Sequence, residues 1–237
     1  MILQHKDSCR SFMLKSFSYI FLCFLYLYLS DIYNIDLYVQ NYFYDYNQKS
    51  WLISRDNLHI RYILYYGIKY SIMIFGILLI FYLIYAVKNK KEPAHIKAIL
   101  FVLACIIIVP TLVAWLKWLT GVPCPSHLLL YGGPLPYEGV FGFHWPGSGG
   151  DRAACFPAGH PSGGFALLAL PMVAVRKTVT ALVALACGLL MSFYQMAVGA
   201  HFLSHCVTTL LFSLAFINAC FFLFVRFASV KSSRLVL

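Results

Sequence analysis

Apolar residues run almost unbroken through six stretches of the chain, Ser16–Tyr33, Lys69–Val87, Ile96–Leu116, Gly163–Val175, Thr178–Val198 and Phe202–Val225. None alternates between an apolar and a polar face, so neither a half-buried strand nor a surface helix of a soluble domain fits. Most are close to the roughly 20 residues that a helix needs to cross a bilayer. The pattern predicts an all-α, six-helix transmembrane bundle occupying residues 1–237 as one domain. The fourth run is the shortest and carries Pro171. The first is rich in Tyr and Phe and is followed by no small-residue cleavage site, which argues against a removable signal peptide.

Two long polar segments separate these runs. Asn34 to about Ile68 is rich in Tyr, Trp and Asp ("DLYVQNYFYDYNQKSWLI"), a composition that suits an amphipathic helix lying in the membrane interface. Trp118 to Ser162 holds most of the Gly and Pro.

Composition supports the membrane reading: 61% of residues are hydrophobic, 11% are charged, and the mean hydropathy is +0.77. Charge then orients the chain. Twelve of the 18 basic residues flank the runs on one side, among them Lys6, Arg10, Lys88, Lys90, Arg176 and Lys231. By the positive-inside rule both termini are cytoplasmic, and the two long segments lie at the outer face of the cytoplasmic membrane. The net charge of +10 reports this asymmetry and contact with anionic headgroups. No basic stripe falls on a soluble domain, which argues against a nucleic-acid partner.

Polar groups at membrane boundaries are costly and call for a reason. Three clusters fall on the outer side: "KWLTGVPCP" with Lys117, "CFPAGHPSGGF" with His160, and "YQMAVGAHFLSHC" with His201. A lysine and two histidines at converging helix ends outline a pocket. "HPSGGF" reads as a helix start, with Ser162 as N-cap and amides near Gly163 and Gly164 turned toward an anion. His201 and His205 are four apart and share a helix face. Such a pair, with Cys206 or Cys155, is one way to hold zinc. No H-E-x-x-H or C-x-x-C accompanies it, and the leading reading needs neither metal nor cofactor. Cys23, Cys105, Cys187, Cys206 and Cys220 sit in apolar runs as small hydrophobes. Cys124 and Cys155 share the outer segment and, in an oxidising compartment, either pair as a disulfide or remain thiols.

Together the three clusters resemble the signature motifs of the type 2 phosphatidate phosphatase superfamily, K-x6-RP, PSGH and SR-x5-H-x3-D. Lys117 and Pro125 match the first; Pro157, Gly159 and His160 match the second; His201 matches the third. The resemblance covers about Tyr65 to Val225 and points to a divergent branch, similar to enzymes acting on lipid A or other phosphorylated envelope lipids. It implies that His201 attacks phosphorus to form a phosphohistidine, and that His160 protonates the leaving alkoxide. Lys117, Gly159 and Ser162 would hold the phosphate.

The departures fall on charged positions. Cys124 and Gln195 stand where the family has arginines, Ala158 where it has the serine of PSGH, and His205 where it has the aspartate that orients the nucleophile. Gln195 would donate a neutral hydrogen bond. Arg152 is the expected substitute for a lost arginine, and His205 the expected orienting group. Asp151, Glu138 or a carboxylate of the Asn34–Ile68 segment would supply the missing negative charge. The expected activity is hydrolysis of a phosphomonoester or diphosphate on a membrane lipid (lipid A, undecaprenyl diphosphate or phosphatidate). Two other readings stay open: a non-catalytic relative that binds a phospholipid headgroup, and a small transporter whose histidines relay protons at mid-membrane depth.

Overall fold

A computed structural model describes the backbone of residues 2–142 and 154–233 and the side chains of residues 11–142 and 154–225. In chain order the helices are α1 (Ile2–Tyr33), α2 (Ile35–Gln40), α3 (Leu58–Ile60), α4 (Ile68–Lys88), α5 (Pro93–Thr120), α6 (Gly159–Ala166), α7 (Leu170–Val173), α8 (Lys177–Ala197) and α9 (Leu203–Ser233). Strands β1 (Tyr44–Asp45) and β2 (Ser50–Trp51) form an antiparallel hairpin between α2 and α3.

Among the described residues, five helical spans are long and apolar enough to cross a membrane: Ser11–Tyr33, Leu58–Lys88, Pro93–His127, Lys177–Ala197 and Leu203–Val225. The chain is an all-α, multi-pass membrane protein. The fourth predicted run differs from the other five. It folds as α6, a 3₁₀ turn (Leu167–Ala169) and α7, and ends at Val173. At 1.5 Å per residue this segment is roughly 22 Å long, short of a ~30 Å hydrocarbon core. Pro171, at the first turn of α7, interrupts the hydrogen-bond ladder there. The segment is buried among its neighbours. Gly164 meets Gly188 of α8 so closely that a Cβ on Gly164 would stand 2.7 Å from the Gly188 backbone, the small-residue packing that lets membrane helices touch. Phe101, Val102, Cys105 and Val109 of α5, Ala166 and Ala169, and Ile217 of α9 form the core beneath it.

Polar side chains bind the bundle where hydrophobicity cannot discriminate between helix and lipid. Asn218 of α9 donates to the Phe12 carbonyl (2.6 Å) and to Ser16 Oγ (2.8 Å) of α1, and Ser16 donates to the Ala215 carbonyl (3.2 Å).

The Asn34–Ile68 segment is not the single interfacial helix expected from its composition. After α2 it turns into the hairpin, because Asp45 Oδ1 accepts from the amides of Asn47 (2.8 Å) and Gln48 (3.1 Å) and Lys49 takes a left-handed φ of 50°. Tyr44 and Trp51 then pack on Tyr131 with ring centroids 5.1 and 5.2 Å from it. From α3 the chain continues through a π-helical turn, Arg61–Gly67, into α4. Asp31, at the end of α1, accepts from the amides of Val140 and Phe141 and ties the segment after α5 to the bundle.

Candidate active site

Three stretches far apart in sequence are laced together at one end of the bundle. Thr120, the last residue of α5, donates its hydroxyl to the Phe156 carbonyl, and the Cys155 amide donates to the Val122 carbonyl (2.8 Å). Cys124 and Cys155 are joined as a disulfide with Cα atoms 5.2 Å apart. The Ser126 amide donates to the Gly199 carbonyl (3.0 Å). The Ala158 amide donates to the His205 carbonyl (3.2 Å), and Thr209 Oγ1 bonds the carbonyls of both Ala158 (3.0 Å) and His205 (2.8 Å). These bonds lock the Lys117, His160 and His201 segments against one another.

His201 emerges from the turn that ends α8. Gly199 adopts φ +66°, and the amides of Ala200 (2.8 Å) and His201 (3.2 Å) both donate to the Gln195 carbonyl. This chain reversal, open to glycine at little steric cost, sets His201 just ahead of α9. His201 is 2% exposed, and its Nδ1 is buried without a hydrogen-bond partner among the described residues. Burial first, then the neighbouring His205, Lys117 and His160, push its pKa well below the ordinary value, against a pull the other way from the Cys155 backbone. It is a neutral imidazole.

His160 lies in the first turn of α6. Its Nε2 is hydrogen-bonded to the Tyr65 hydroxyl, with ring centroids 4.5 Å apart. Burial, then the charges of Lys117 and Lys69, lower its pKa to about 4. In the free protein His160 is neutral too.

A polar pocket of about 280 Å³ is lined by His201, His160, Lys117, Gln195, Arg55 and Arg61, with the Cys124–Cys155 disulfide in its wall. Next to it, sharing Lys117 and His160, an apolar groove of about 560 Å³ runs between α4 and α5, past Ile72, Ile77, Ile106 and Pro110. One end is cationic and polar; the other is hydrocarbon.

Other expected site residues are placed differently. Gly159 and Ser162 line the apolar groove rather than the polar pocket. Ser162 is not an N-cap: α6 begins three residues earlier, at Gly159, and the Ser162 hydroxyl donates to the Gly159 carbonyl. The amides left outside the helical ladder are therefore those of Gly159 and His160, since Pro161 has none, rather than those of Gly163 and Gly164. His205 is fully buried behind His201, with centroids 5.7 Å apart, enclosed edge-on by Phe156 (5.3 Å) and Phe202 (5.4 Å). Among the described residues neither of its ring nitrogens has a hydrogen-bond partner, and no hydrogen bond from its ring orients His201. Arg152 and Asp151 lie outside the described residues. Cys155, weighed above as a zinc ligand, is committed to the disulfide.

Two residues escaped the sequence reading, and a third was anticipated only as one of the carboxylates of its segment. Arg55 and Arg61 reach the pocket from the segment before α4. Arg55 Nε donates to the Val198 carbonyl (3.0 Å) and its Nη2 to Ser126 Oγ (2.9 Å). Arg61 Nη2 donates to the Tyr66 hydroxyl (3.3 Å), with the guanidinium 5.5 Å from the centre of that ring. Their one sequence signal is that they run against the positive-inside asymmetry. The third is Asp36 of α2, 1% exposed, which accepts from both the Ser204 amide (2.8 Å) and the Ser204 hydroxyl (2.5 Å) at the start of α9. Burial raises its pKa to about 6, against the lowering effect of the two Ser204 bonds. It is the buried carboxylate of the Asn34–Ile68 segment, and it grips the helix that follows His201 rather than an imidazole. Glu138, also considered for that charge, is exposed.

The family model described as the PAP2 superfamily matches residues 98–228, more than half of the chain, and this range contains Lys117, His160 and His201. No curated protein and no solved structure matches the chain.

Proposed function

Because the chain belongs to the PAP2 superfamily, whose members are phosphatases, we propose that it hydrolyses a phosphate ester on a membrane lipid at the outer face of the cytoplasmic membrane, through a phosphohistidine on His201. The carrying observation is the shared boundary of the two cavities. Lys117 and His160 line both the cationic pocket and the apolar groove between α4 and α5. A phosphorylated amphiphile fits that pair, with its phosphate beside the histidines and an alkyl chain against Ile72, Ile77 and Ile106.

In the reaction the neutral imidazole of His201 attacks phosphorus through Nε2, its Nδ1 being buried. The bond between phosphorus and the alkoxy oxygen breaks, and that oxygen leaves as the alcohol with a proton delivered by His160. Water then attacks the phosphohistidine, giving its proton to His160, and inorganic phosphate departs. His160 is neutral in the free site, so its proton arrives with the substrate, as the phosphate monoanion or by uptake when the anion neutralises the surrounding cations. Lys117 balances the charge on the non-bridging oxygens.

The test is phosphate release from phosphatidate in mixed micelles by the purified protein. Wild type releases phosphate and His201→Ala does not. Binding of the lipid phosphate without release, equal in the two proteins, would instead establish the headgroup-binding reading, which the missing motif arginines favour.

A further inference from the structure

Within the motifs, both positions that carry arginine in the family are neutral here. Cys124 is tied to Cys155, and Gln195 uses its backbone carbonyl to hold the His201 turn. Yet the pocket is rich in positive charge. Arg55 and Arg61 enter its wall from a segment that precedes the family-matched residues 98–228. Among the described residues neither guanidinium meets a carboxylate, and Lys117 shares the same pocket without an anionic partner. Clustered cations cost free energy in an empty site and are offset when an anion arrives.

We propose that Arg55 and Arg61 are the phosphate-clamping arginines of this chain, supplied by the outer segment in place of the two lost from the motifs. The proposal rests on the phosphatase reading and assigns the same site its anion-binding residues. The geometry separates their parts. Arg55 is held by two bonds, through Nε to Val198 and through Nη2 to Ser126, which fixes its plane and leaves Nη1 for the ligand. Ser126 and Val198 flank the Lys117 and His201 segments, so Arg55 also reports the assembled state of the site. Among the described residues Arg61 is held by the Tyr66 ring and hydroxyl. Stacking on an aromatic face leaves most of its planar fork for two non-bridging oxygens, the geometry that suits arginine and not lysine. The π-helical turn Arg61–Gly67 that carries it also carries Tyr65, the partner of His160. The outer segment thus delivers an anion ligand and the phenol that holds His160 from one turn of chain.

The test uses the full-length protein in micelles with short-chain phosphatidate, and two readouts: kcat/KM for phosphate release, and the affinity for inorganic phosphate by titration calorimetry. Arg61→Ala is expected to lower kcat/KM by ~10²-fold and to weaken phosphate binding by about tenfold or more, with the melting temperature unchanged. Arg61→Lys, which keeps the charge without the fork, falls between it and wild type. Arg55→Ala is expected to act in the same direction. Where its loss of the Val198 and Ser126 bonds prevents folding, Arg61→Ala carries the decision. Both measures staying within about threefold of wild type in a folded Arg61→Ala protein would overturn the proposal. A wild-type protein that releases no phosphate but binds it, with binding lost in Arg61→Ala, would refute the phosphatase reading and leave the arginine assignment standing.

Discussion

The indole of Trp51 occupies the space in which position 199 would carry a side chain: a Cβ built on Gly199 would stand 2.2 Å from Trp51 Cε2. Hairpin and histidine turn are thus fitted to each other. The left-handed φ of +66° at Gly199 adds a second constraint, worth roughly 1–2 kcal/mol for any L-residue. Gly199→Ala is therefore expected to lower the melting temperature and to reduce phosphate release far more than its size suggests, because His201 lies two residues on. Gly199→Ala with wild-type melting and activity would show that Trp51 yields without moving the turn.

Pairing of Cys124 with Cys155 closes a loop with a sequence separation of 31 residues. In the chain-entropy account such a loop is worth about 3–4 kcal/mol. The double replacement Cys124→Ser, Cys155→Ser is expected to destabilise the protein by that order and to loosen the pocket wall. Chemical denaturation in detergent with and without reductant measures it. Equal stability in the two conditions would place the effect elsewhere.

Asp36 predicts a pH dependence of stability whose sign is the reverse of the usual carboxylate. Its pKa is raised from 3.8 to about 6, so the folded protein binds the proton more tightly than the unfolded chain. The favourable contribution is complete below about pH 4 and is lost as pH rises through about 6, a loss of order 3 kcal/mol. Asp36→Asn keeps an acceptor for the Ser204 amide and removes the charge. Its melting temperature is expected to be flatter than wild type between about pH 4 and 7. A wild-type melting temperature that climbs over this range because of Asp36 would contradict the assignment.

The pocket's two histidines set the pH profile of the reaction. Burial holds the His201 pKa well below its ordinary value, so it adds no acid limb near neutrality. His160, with a pKa of about 4, carries no proton in the free protein at pH 7. The productive proton must then come with the substrate, and kcat/KM is expected to fall by up to about tenfold per pH unit above the second phosphate pKa of about 6. His160→Gln should lower the rate by ~10²-fold or more. A kcat/KM that rises between pH 6 and 8 would argue for a different proton donor.

The groove gives a test of substrate class. Gly76 lines it, and a Cβ there would meet nothing within 4 Å. Gly76→Phe should fill the groove without straining the bundle. It is expected to raise KM for long-chain lipid phosphates by about tenfold or more while leaving a short water-soluble phosphate ester unaffected. An equal effect on both substrates would mean that the chain binds elsewhere.

Hydropathy sufficed to locate the helices that became α1, α4, α5, α8 and α9, because a bilayer-crossing helix declares itself by length and composition. Gly163–Val175 also stands out as an apolar run, but the structure breaks it into α6, a 3₁₀ turn and α7, shorter than the other five and buried among them. The hairpin between α2 and α3 was hidden because aromatic-rich interface helices and aromatic hairpins share a composition, and the turn depends on Asp45 and Lys49. Lys117, His160 and His201 were legible from motif spacing, and the structure brings them to one pocket. Arg55 and Arg61 were not, since each reaches the site through the fold of a segment with no motif of its own. Asp36 was one of several candidate carboxylates in the Asn34–Ile68 segment, and only the fold of α2 buries it against Ser204.

The central claim is that His201 carries the phosphoryl group. Rapid mixing of the protein with a lipid phosphate, an alkaline quench that preserves phosphohistidine, and mass spectrometry of the peptide spanning Gln195 to His205 test it directly. The account predicts a phosphoryl group on His201 that appears and decays at the rate of phosphate release and is absent from His201→Ala. Undiminished phosphate release by His201→Ala, or a phosphoryl group found on another residue, would contradict it.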